Sequence, residues 1–317
     1  MKITRPRVRG RLAGLAAAVA LAAGGTAGLT VSAAGLSVGT ASHAAAGPAA
    51  HYSALEVAAK ASLLRYLSKN KAWNFPTPGH GPRGVTPSTT NARAGARGTS
   101  ETGSYNWSGY ADTTTTAGAF TSVSAKWLEP ATFCTAEQRL TVFWVGLDGF
   151  SFTDPTVEQD GTLAYCFQGQ PYYYTWWEMY PADSVTVGST VRPGDLISAS
   201  VTRSGSSYTL SLTDHTTPGN SFSTVQTCAT STCLDQSAEW IAERPAFPIG
   251  ITPLSSFTPW LPFAGQETAD GVKGTIGSGP SATAIQMIDA TDTYQLDNVS
   301  GLKFGGTGFS ARWLNSY

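Results

Sequence analysis

The sequence predicts an all-β domain, a sandwich or jelly roll, over residues 99–317. Only 13% of the residues are charged, against about 25% in an ordinary globular protein. Aromatic residues that favour strands are frequent, with 9 Trp and 12 Tyr. From Tyr105 onward, apolar and polar residues alternate between turn signals that recur about every ten residues. These three observations together predict one β domain, called here the acidic domain.

Several segments predict its strands in order. In FTSVSAKWLEP, Val123, Ala125 and Trp127 fall at strand spacing. The run RLTVFWVGLDG is apolar throughout, and QPYYYTWWEMYP is an aromatic strand. The segment GDLISASVTRSGSSYTLSLTDHTTPG predicts a hairpin of two alternating strands around RSGSS. The segments SATAIQMIDA and FSARWL predict late strands.

The N-terminal region predicts a secretory signal peptide at residues 1–46. The basic stretch MKITRPRVRGR precedes a short apolar stretch, LAGLAAAVALAAGG, and small residues follow as far as ASHAAAG. This order is typical of signal peptides, and the apolar stretch is shorter than the ~20 residues of a membrane span. We therefore expect a secreted, extracellular protein that is not bound to a membrane.

Residues 47–98 predict a basic pro-segment and linker. The stretch SALEVAAKASLLRYLSKNK places apolar residues near helical spacing, with basic residues around them. The residues that follow it are rich in Pro, Gly, Ser and Thr, as linkers are. A disordered spacer is the alternative interpretation. As a pro-segment, this region is expected to dock on the acidic domain by charge attraction and to inhibit it.

The charges are divided unevenly along the chain. Residues 101–317 hold 8 of the 20 basic residues and 20 of the 21 acidic residues. Such an acidic surface argues against nucleic acid as a partner, because phosphates would be repelled. With few bases, the domain gains little positive self-repulsion when its carboxylates are protonated. This favours a protein that works at low pH.

The four cysteines predict disulfides and not a metal site. Their even number in an exported protein is typical of disulfide bonding. Cys228 and Cys233 enclose a tight loop, which leaves Cys134 and Cys166 as the other pair. No CxxC motif occurs, and His215 is the single histidine of the acidic domain. We therefore expect no metal and no cofactor.

Nucleophilic catalysis has little support in the sequence. A Ser–His–Asp triad would have to use His215, and no GxSxG motif accompanies it. No paired Asp-Thr-Gly or Asp-Ser-Gly motifs are present for a two-aspartate protease. Catalysis would therefore depend on carboxylates and amides.

Two short segments place such groups on strand faces. In TVEQ, strand alternation puts Gln159 on the same face as Val157. In AEWIAE, it puts Glu239, Ile241 and Glu243 on one face, and acids on a half-buried face need a role or a partner. A helix with solvated Glu239 and Glu243 is the alternative that periodicity leaves open.

Five motifs, in order along residues 106–317, resemble those of the glutamic peptidases, or eqolisins. They are NWSGY, WVGLDG, VEQDG, WWEMYP and AEWIAE. The resemblance implies an acid-active endopeptidase with a concanavalin-like sandwich of two antiparallel seven-stranded sheets, and we expect a bacterial, secreted member. Catalytic residues of the family lie at the positions of Gln159 and Glu243. The position after the catalytic Glu is usually acidic in the family and is Arg244 here.

The resemblance also implies the residues around this dyad. Those expected to contact substrate are Trp107, Trp144, Asp148, Trp176, Glu178 and Tyr180. The missing family cysteine near Phe152 favours the Cys228–Cys233 pair. The expected partners are protein or peptide substrates, and the chain is expected to be a monomer.

The expected chemistry can be stated from the residues. Glu243 would activate a water molecule and later protonate the leaving amine, and Gln159 would stabilise the oxyanion. With a near-ordinary pKa of about 4.3, a glutamate changes charge only in acid. The competing interpretation is a carbohydrate-binding or glycan-hydrolysing sandwich, in which Glu158 and Glu178 could be the paired carboxylates. A pure binding module would not need a pro-segment.

Overall fold

The alternating segments do form strands, and the predicted basic helix forms before them. The computed structural model describes residues 54–69, 100–151, 154–188, 190–230, 232–247, 250–291 and 293–316. The predicted signal peptide and the linker after the helix lie outside these residues. The described residues all fall in one unit, residues 51–317. None of their helices is long and apolar enough to cross a membrane.

The helix and the strands have the following bounds. The helix is α1 (Ala54–Lys69), and the first ten strands are β1 (Ser100–Ser104), β2 (Trp107–Thr113), β3 (Phe120–Leu128), β4 (Thr132–Phe133), β5 (Arg139–Leu147), β6 (Val157–Phe167), β7 (Gln170–Tyr180), β8 (Val185–Thr186), β9 (Leu196–Ser204) and β10 (Ser207–Asp214). The remaining strands are β11 (Phe222–Thr227), β12 (Ser237–Glu243), β13 (Ala246–Phe247), β14 (Gly250–Ile251), β15 (Ser256–Phe257), β16 (Phe263–Ala269), β17 (Val272–Thr275), β18 (Ala282–Ile288), β19 (Gln295–Val299) and β20 (Ala311–Trp313).

Two large sheets contain most of these strands. In the described part of the chain, a ten-stranded sheet has the order β20-β19-β18-β2-β12-β5-β6-β7-β8, with β1 paired to β18, and a six-stranded sheet has the order β11-β10-β9-β3-β16-β17. The pair β1–β18 is parallel. The sandwich is therefore confirmed, with ten and six strands where the resemblance implied seven and seven. Short strands at the edges, and the added parallel strand, enlarge the first sheet.

The predicted hairpin is formed by β9 and β10. Ser204 pairs with Ser207, so the turn holds only Gly205 and Ser206. Gly205 has φ +61°, a left-handed conformation that glycine adopts without steric cost. This turn fixes the register of the two strands.

The main core lies between the two large sheets. Trp240 and Phe143 from the ten-stranded sheet belong to one buried cluster with Trp127 from the six-stranded sheet. Trp127 packs edge-on against Trp260, with ring centroids 5.8 Å apart. Alternation along each strand sends one set of side chains into this core and the other set to the opposite face.

A second apolar cluster covers the opposite face of the ten-stranded sheet, called here the outer face. Its members include Trp107, Trp144, Trp176 and Ile241, all buried. Leu63 of α1 belongs to the same cluster and is fully buried. The helix therefore packs on the outer face.

Both predicted disulfides are present. Cys134 is bonded to Cys166, and Cys228 is bonded to Cys233. No cysteine is free.

Candidate active site

The segment AEWIAE is a strand, so the alternative of a helix with solvated glutamates is wrong. In β12, Glu239 pairs with Gly146 and Glu243 pairs with Val142. Residues directly opposite each other in an antiparallel pair share a face, and Val142 belongs to the outer-face cluster. Glu239, Ile241 and Glu243 therefore lie on the outer face, as alternation predicted. Every residue of β12 is buried, because the inter-sheet core covers one face of the strand and the outer-face cluster covers the other.

Glu243 is a fully buried carboxyl that receives a hydrogen bond on each oxygen. Asn106 Nδ2 donates to Oε1 at 3.1 Å, and Trp144 Nε1 donates to Oε2 at 2.9 Å. The Trp107 ring packs edge-on against Trp144, with centroids 5.0 Å apart, and its own N–H does not reach hydrogen-bonding geometry. Both neighbouring groups are N–H donors and neither is an acceptor, which favours the ionised form of the Glu243 carboxyl.

Burial nevertheless changes the titration of Glu243. Loss of solvent raises the pKa of Glu243 well above its ordinary value, and the neighbouring polar groups of Trp144, Trp107 and Asn106 lower it by less. The sequence-based expectation of a near-ordinary pKa is therefore wrong for this structure. The physical reason is that a sequence shows the glutamate and not the depth at which it is buried.

Gln159 lies on the same face, in the middle of the sheet. In β6 it pairs with Gly146 on one side and with Glu178 on the other. Its Nε2 donates to Glu178 Oε2 at 2.7 Å, and its Oε1 has no partner among the described residues. A Cβ atom at Gly146 would lie 3.2 Å from the Gln159 Cβ and 2.8 Å from the Trp144 ring. Glycine at position 146 therefore leaves room for both side chains.

Glu178 is a second buried carboxyl of this site. Burial, and then the charge of Glu243, raise the pKa of Glu178 well above its ordinary value, while the hydrogen bond from Gln159 lowers it. A negative charge on Glu243 therefore disfavours ionisation of Glu178.

The strand register makes both glutamates of AEWIAE candidates for the carboxylate that works with Gln159. Only β5 separates β6 from β12, and the residue level with Gln159 in β12 is Glu239. Glu243 lies four residues farther along. Glu239 is fully buried, so the expectation that it could be solvated is wrong. Its two oxygens have no hydrogen-bond partner among the described residues, and the nearby Ser237 hydroxyl does not reach hydrogen-bonding geometry.

The hydrogen bonds distinguish the two glutamates. Glu243 has one donor on each oxygen, whereas burial raises the pKa of Glu239 well above its ordinary value without such donors. Burial raises the pKa of both glutamates, but the site stabilises a charged carboxylate better at Glu243 than at Glu239. Glu239 is better suited to remain neutral.

The other expected substrate contacts are spread over the same sheet. Trp176 lies on the outer face, opposite Gly161, and Tyr180 ends β7 half-buried. Asp148 lies just past β5, and its oxygens accept the backbone N–H groups of Asp235 at 2.7 Å and Gln236 at 2.8 Å. Asp148 therefore supports a loop junction.

The carboxylate pair considered for a glycan hydrolase does not assemble. Glu158 pairs with Met179, whereas Glu178 pairs with Gln159. Met179 belongs to the inter-sheet core, so Glu158 and Glu178 lie on opposite faces of one sheet. The register between β6 and β7 separates them, and the sequence does not state that register.

One functional residue was missed by sequence reasoning. Asn106 was noted only as part of the NWSGY motif, yet its buried amide donates a hydrogen bond to Glu243. The signal that could have found it is its place beside Trp107, which pairs directly with Glu243 in the sheet.

Helix α1 covers part of the outer face close to these residues. Ser62 Oγ is 3.0 Å from the Tyr165 hydroxyl, and Gln138 Nε2 donates to Ser62 Oγ at 3.4 Å. A cavity of about 250 Å³ remains between the helix and the side chains of Tyr172 and Tyr174.

Known proteins share this fold and these motifs. The chain matches the Peptidase A4 family over residues 105–301. The crystal structure of scytalido-glutamic peptidase with a peptide based transition state analog is 25% identical, with a TM-score of 0.55, and the match covers 66% of this chain and 98% of that chain. The structure of SCP-B, a member of the eqolisin family in a complex with the tripeptide Ala-Ile-His, is 25% identical with a TM-score of 0.52 and the same coverage. No curated protein sequence matches the chain.

The family match spans more than half of the chain and includes the strands that hold Gln159 and Glu243. The similar solved structures are glutamic peptidases with bound transition-state analogs or peptide. The chain therefore belongs to the Peptidase A4 family, and it is a glutamic endopeptidase.

Proposed function

We propose that this chain is a secreted acid endopeptidase in which Glu243 activates water and Gln159 stabilises the oxyanion. The observation that carries the proposal is the contrast on β12: Glu243 has an N–H donor on each oxygen, and Glu239 has none among the described residues. A peptide based transition state analog and a tripeptide in similar solved structures support peptide substrates here.

The proposed steps conserve atoms and protons. The Glu243 carboxylate takes a proton from water as the water oxygen attacks the peptide carbonyl carbon, and the carbonyl oxygen becomes an oxyanion. Glu243 then gives this proton to the leaving amine as the C–N bond breaks. The products are a carboxylic acid and an amine, and Glu243 returns to its starting form.

Glu178 orients the amide of Gln159 so that it can stabilise the oxyanion. Gln159 Nε2 donates to Glu178 Oε2 at 2.7 Å, and a carboxyl oxygen can accept this hydrogen bond in either protonation state, so the contact points the amide nitrogen of Gln159 toward Glu178. The same NH₂ group keeps one N–H for the oxyanion. Pre-oriented donors of this kind stabilise the charge that develops in the transition state.

The activity is expected to depend on pH through the ionisation of Glu243. The base form of Glu243 exists above its pKa, and burial raises that pKa. We therefore expect kcat/KM to fall about tenfold per pH unit on the acid side, with an apparent pKa above about 4.3. Buried carboxyls such as Glu178 and Glu239 ionise as the pH rises, so activity should be low at neutral pH.

The measurement is the pH profile of the activated protein on an unfolded protein substrate. A polysaccharide substrate tested in parallel should show no hydrolysis. Full activity at neutral pH that a chelator or a serine-directed reagent blocks would contradict the proposed mechanism.

We further propose that residues 47–98 are an inhibitory pro-segment, acting through α1. The support is the position of the helix on the outer face, where Leu63 is buried in the same apolar cluster as Trp107, Trp144 and Trp176. Its contacts with the sheet include apolar packing and the Ser62–Tyr165 hydroxyl contact. Charge attraction, which the sequence predicted as the cause of docking, would act in addition to this packing.

The second prediction tests this segment in the full chain. Leu63→Asp places a charge in an apolar cluster, so the helix should dissociate more readily, and activity should appear at least about tenfold faster after a shift to acid. Leu55→Asp is the matched control, because Leu55 on the same helix is 55% exposed. Equal activation rates for the two variants, and no inhibition by an added peptide of residues 54–69, would contradict the inhibitory role.

A further inference from the structure

Three buried carboxyl groups meet on the inner side of the ten-stranded sheet. Asp148 follows β5, Glu158 lies in β6, and Asp235 lies just before β12. One oxygen of each lies within 4.8 Å of the other two. All three side chains are buried. The proposed reaction does not use this cluster.

Two of the three groups have hydrogen-bond or ionic partners, and burial still raises the pKa of both, that of Asp148 to about 8. Both oxygens of Asp148 accept backbone N–H groups, from Asp235 and from Gln236. The Tyr208 hydroxyl donates to Asp235 Oδ1 at 2.8 Å. Arg203 Nε forms an ion pair with Asp235 Oδ2 at 3.2 Å.

Glu158 differs from both. Its Oε2 has no partner among the described residues. Its Oε1 lies 3.0 Å from Cys233 Sγ, but that sulfur is bonded to Cys228 and carries no proton to donate. A buried carboxylate without a donor is strongly disfavoured. A protonated Glu158 carries no charge, so it does not repel the carboxyl oxygens of Asp148 and Asp235 that lie within 4.8 Å of it.

The surrounding charges also favour a neutral Glu158. Asp148, Asp235, Asp154 and Glu239 act on it from the adjoining segments, and together with burial they raise the pKa of Glu158 well above its ordinary value. Arg203 is the cation that meets this cluster, and it contacts Asp235. Tyr208 is the titratable group that faces it from the six-stranded sheet.

We propose that Glu158 is a proton-dependent clamp: in acid its carboxyl is protonated and uncharged, and three chain segments stay together around it. The segments are the turn after β5, the start of β6 and the loop that enters β12. Gln159 follows Glu158 directly, and the same loop leads to Glu243. When the pH rises and the proton leaves, three negative groups face one another and the segments separate.

The direction of the pH effect follows from linkage. A carboxyl whose pKa is raised in the folded state binds its proton more tightly there than in the unfolded chain. The contribution of Glu158 to folding stability is therefore fully present below its ordinary pKa of about 4.5. It is lost as the pH rises toward the pKa of Glu158 in the folded state. In that range, the unfolding equilibrium constant should increase about tenfold per pH unit for this one group.

A divalent cation is the other occupant that three carboxyls could hold. Arg203 already supplies positive charge to Asp235, and the oxygens of Asp148 already accept backbone N–H groups. Because these contacts already occupy Asp148 and Asp235, a proton on Glu158 fits the cluster better than a divalent cation does. Added calcium distinguishes the two.

The test compares unfolding of the full chain and of Glu158→Gln between pH 4 and 8. Glutamine keeps the shape of a protonated carboxyl and cannot ionise. We expect the variant to unfold with a shallower pH dependence, so that its unfolding constant at pH 7 is at least about tenfold smaller than that of the parent chain. Asp270→Asn, at an exposed aspartate, should keep the parent pH dependence.

Other outcomes would overturn the clamp. A parent-like pH dependence in Glu158→Gln would do so, as would calcium that stabilises the parent chain at pH 7 but not the variant. Glu158→Met removes the same titration with a different side chain and should give the same shallow dependence. Failure of both variants to fold at pH 4 would also refute the proposal. These readouts measure folding, so they do not depend on the proposed dyad.

Discussion

Glu243→Gln is expected to lower kcat/KM by about 10²–10⁴-fold, the usual span for loss of a general acid–base. Glutamine preserves the size of the side chain, and its carbonyl oxygen can still accept a hydrogen bond from Asn106 or Trp144. It cannot take a proton from water. The loss should therefore appear in kcat while the fold is retained, and steady-state kinetics at acid pH, with a check of thermal unfolding, measure both.

The matched control is Glu239→Gln. It makes the same chemical change on the same strand and the same face, four residues away. Glu239 lies level with Gln159 in the sheet and has no hydrogen-bond donor of its own. We expect this variant to keep most of the activity. A folded Glu239→Gln enzyme without activity, beside an active Glu243→Gln enzyme, would show that the catalytic carboxylate had been assigned to the wrong residue.

Gln159→Ala is expected to lower kcat by about 10²–10³-fold, the typical cost of removing one oxyanion donor. The substitution also removes the hydrogen bond to Glu178, which leaves that carboxyl without its donor. Because the donor acts on charge that develops only in the transition state, KM should change much less than kcat. A rise in KM with kcat unchanged would instead assign Gln159 to substrate binding.

Much of this site could be predicted because strand alternation is a local property. Val157 and Gln159 share a face, and so do Glu239 and Glu243, whatever the partners of their strands are. Alternation alone could not choose between the two glutamates. The motif resemblance chose Glu243, and the hydrogen bonds from Asn106 and Trp144 give a physical reason for that choice.

Other features depend on which strands become neighbours, and a sequence does not state this. The burial of Glu243 depends on Trp107 of β2 and Trp144 of β5, the strands on either side of β12, and this burial shifts its pKa. The meeting of Asp148, Glu158 and Asp235 joins residues as much as 87 positions apart. The size of the sheets also depends on long-range pairing, such as β1 with β18.

The structure of the activated chain with a peptide-based transition-state analogue tests the proposed dyad most directly. We expect the tetrahedral centre of the analogue to place one oxygen within about 2.6–3.2 Å of a Glu243 carboxylate oxygen. The other oxygen should lie at a similar distance from Gln159 Nε2, with Glu178 still bound to the same amide. A tetrahedral centre held by Glu239, with Glu243 outside hydrogen-bonding distance, would contradict the account.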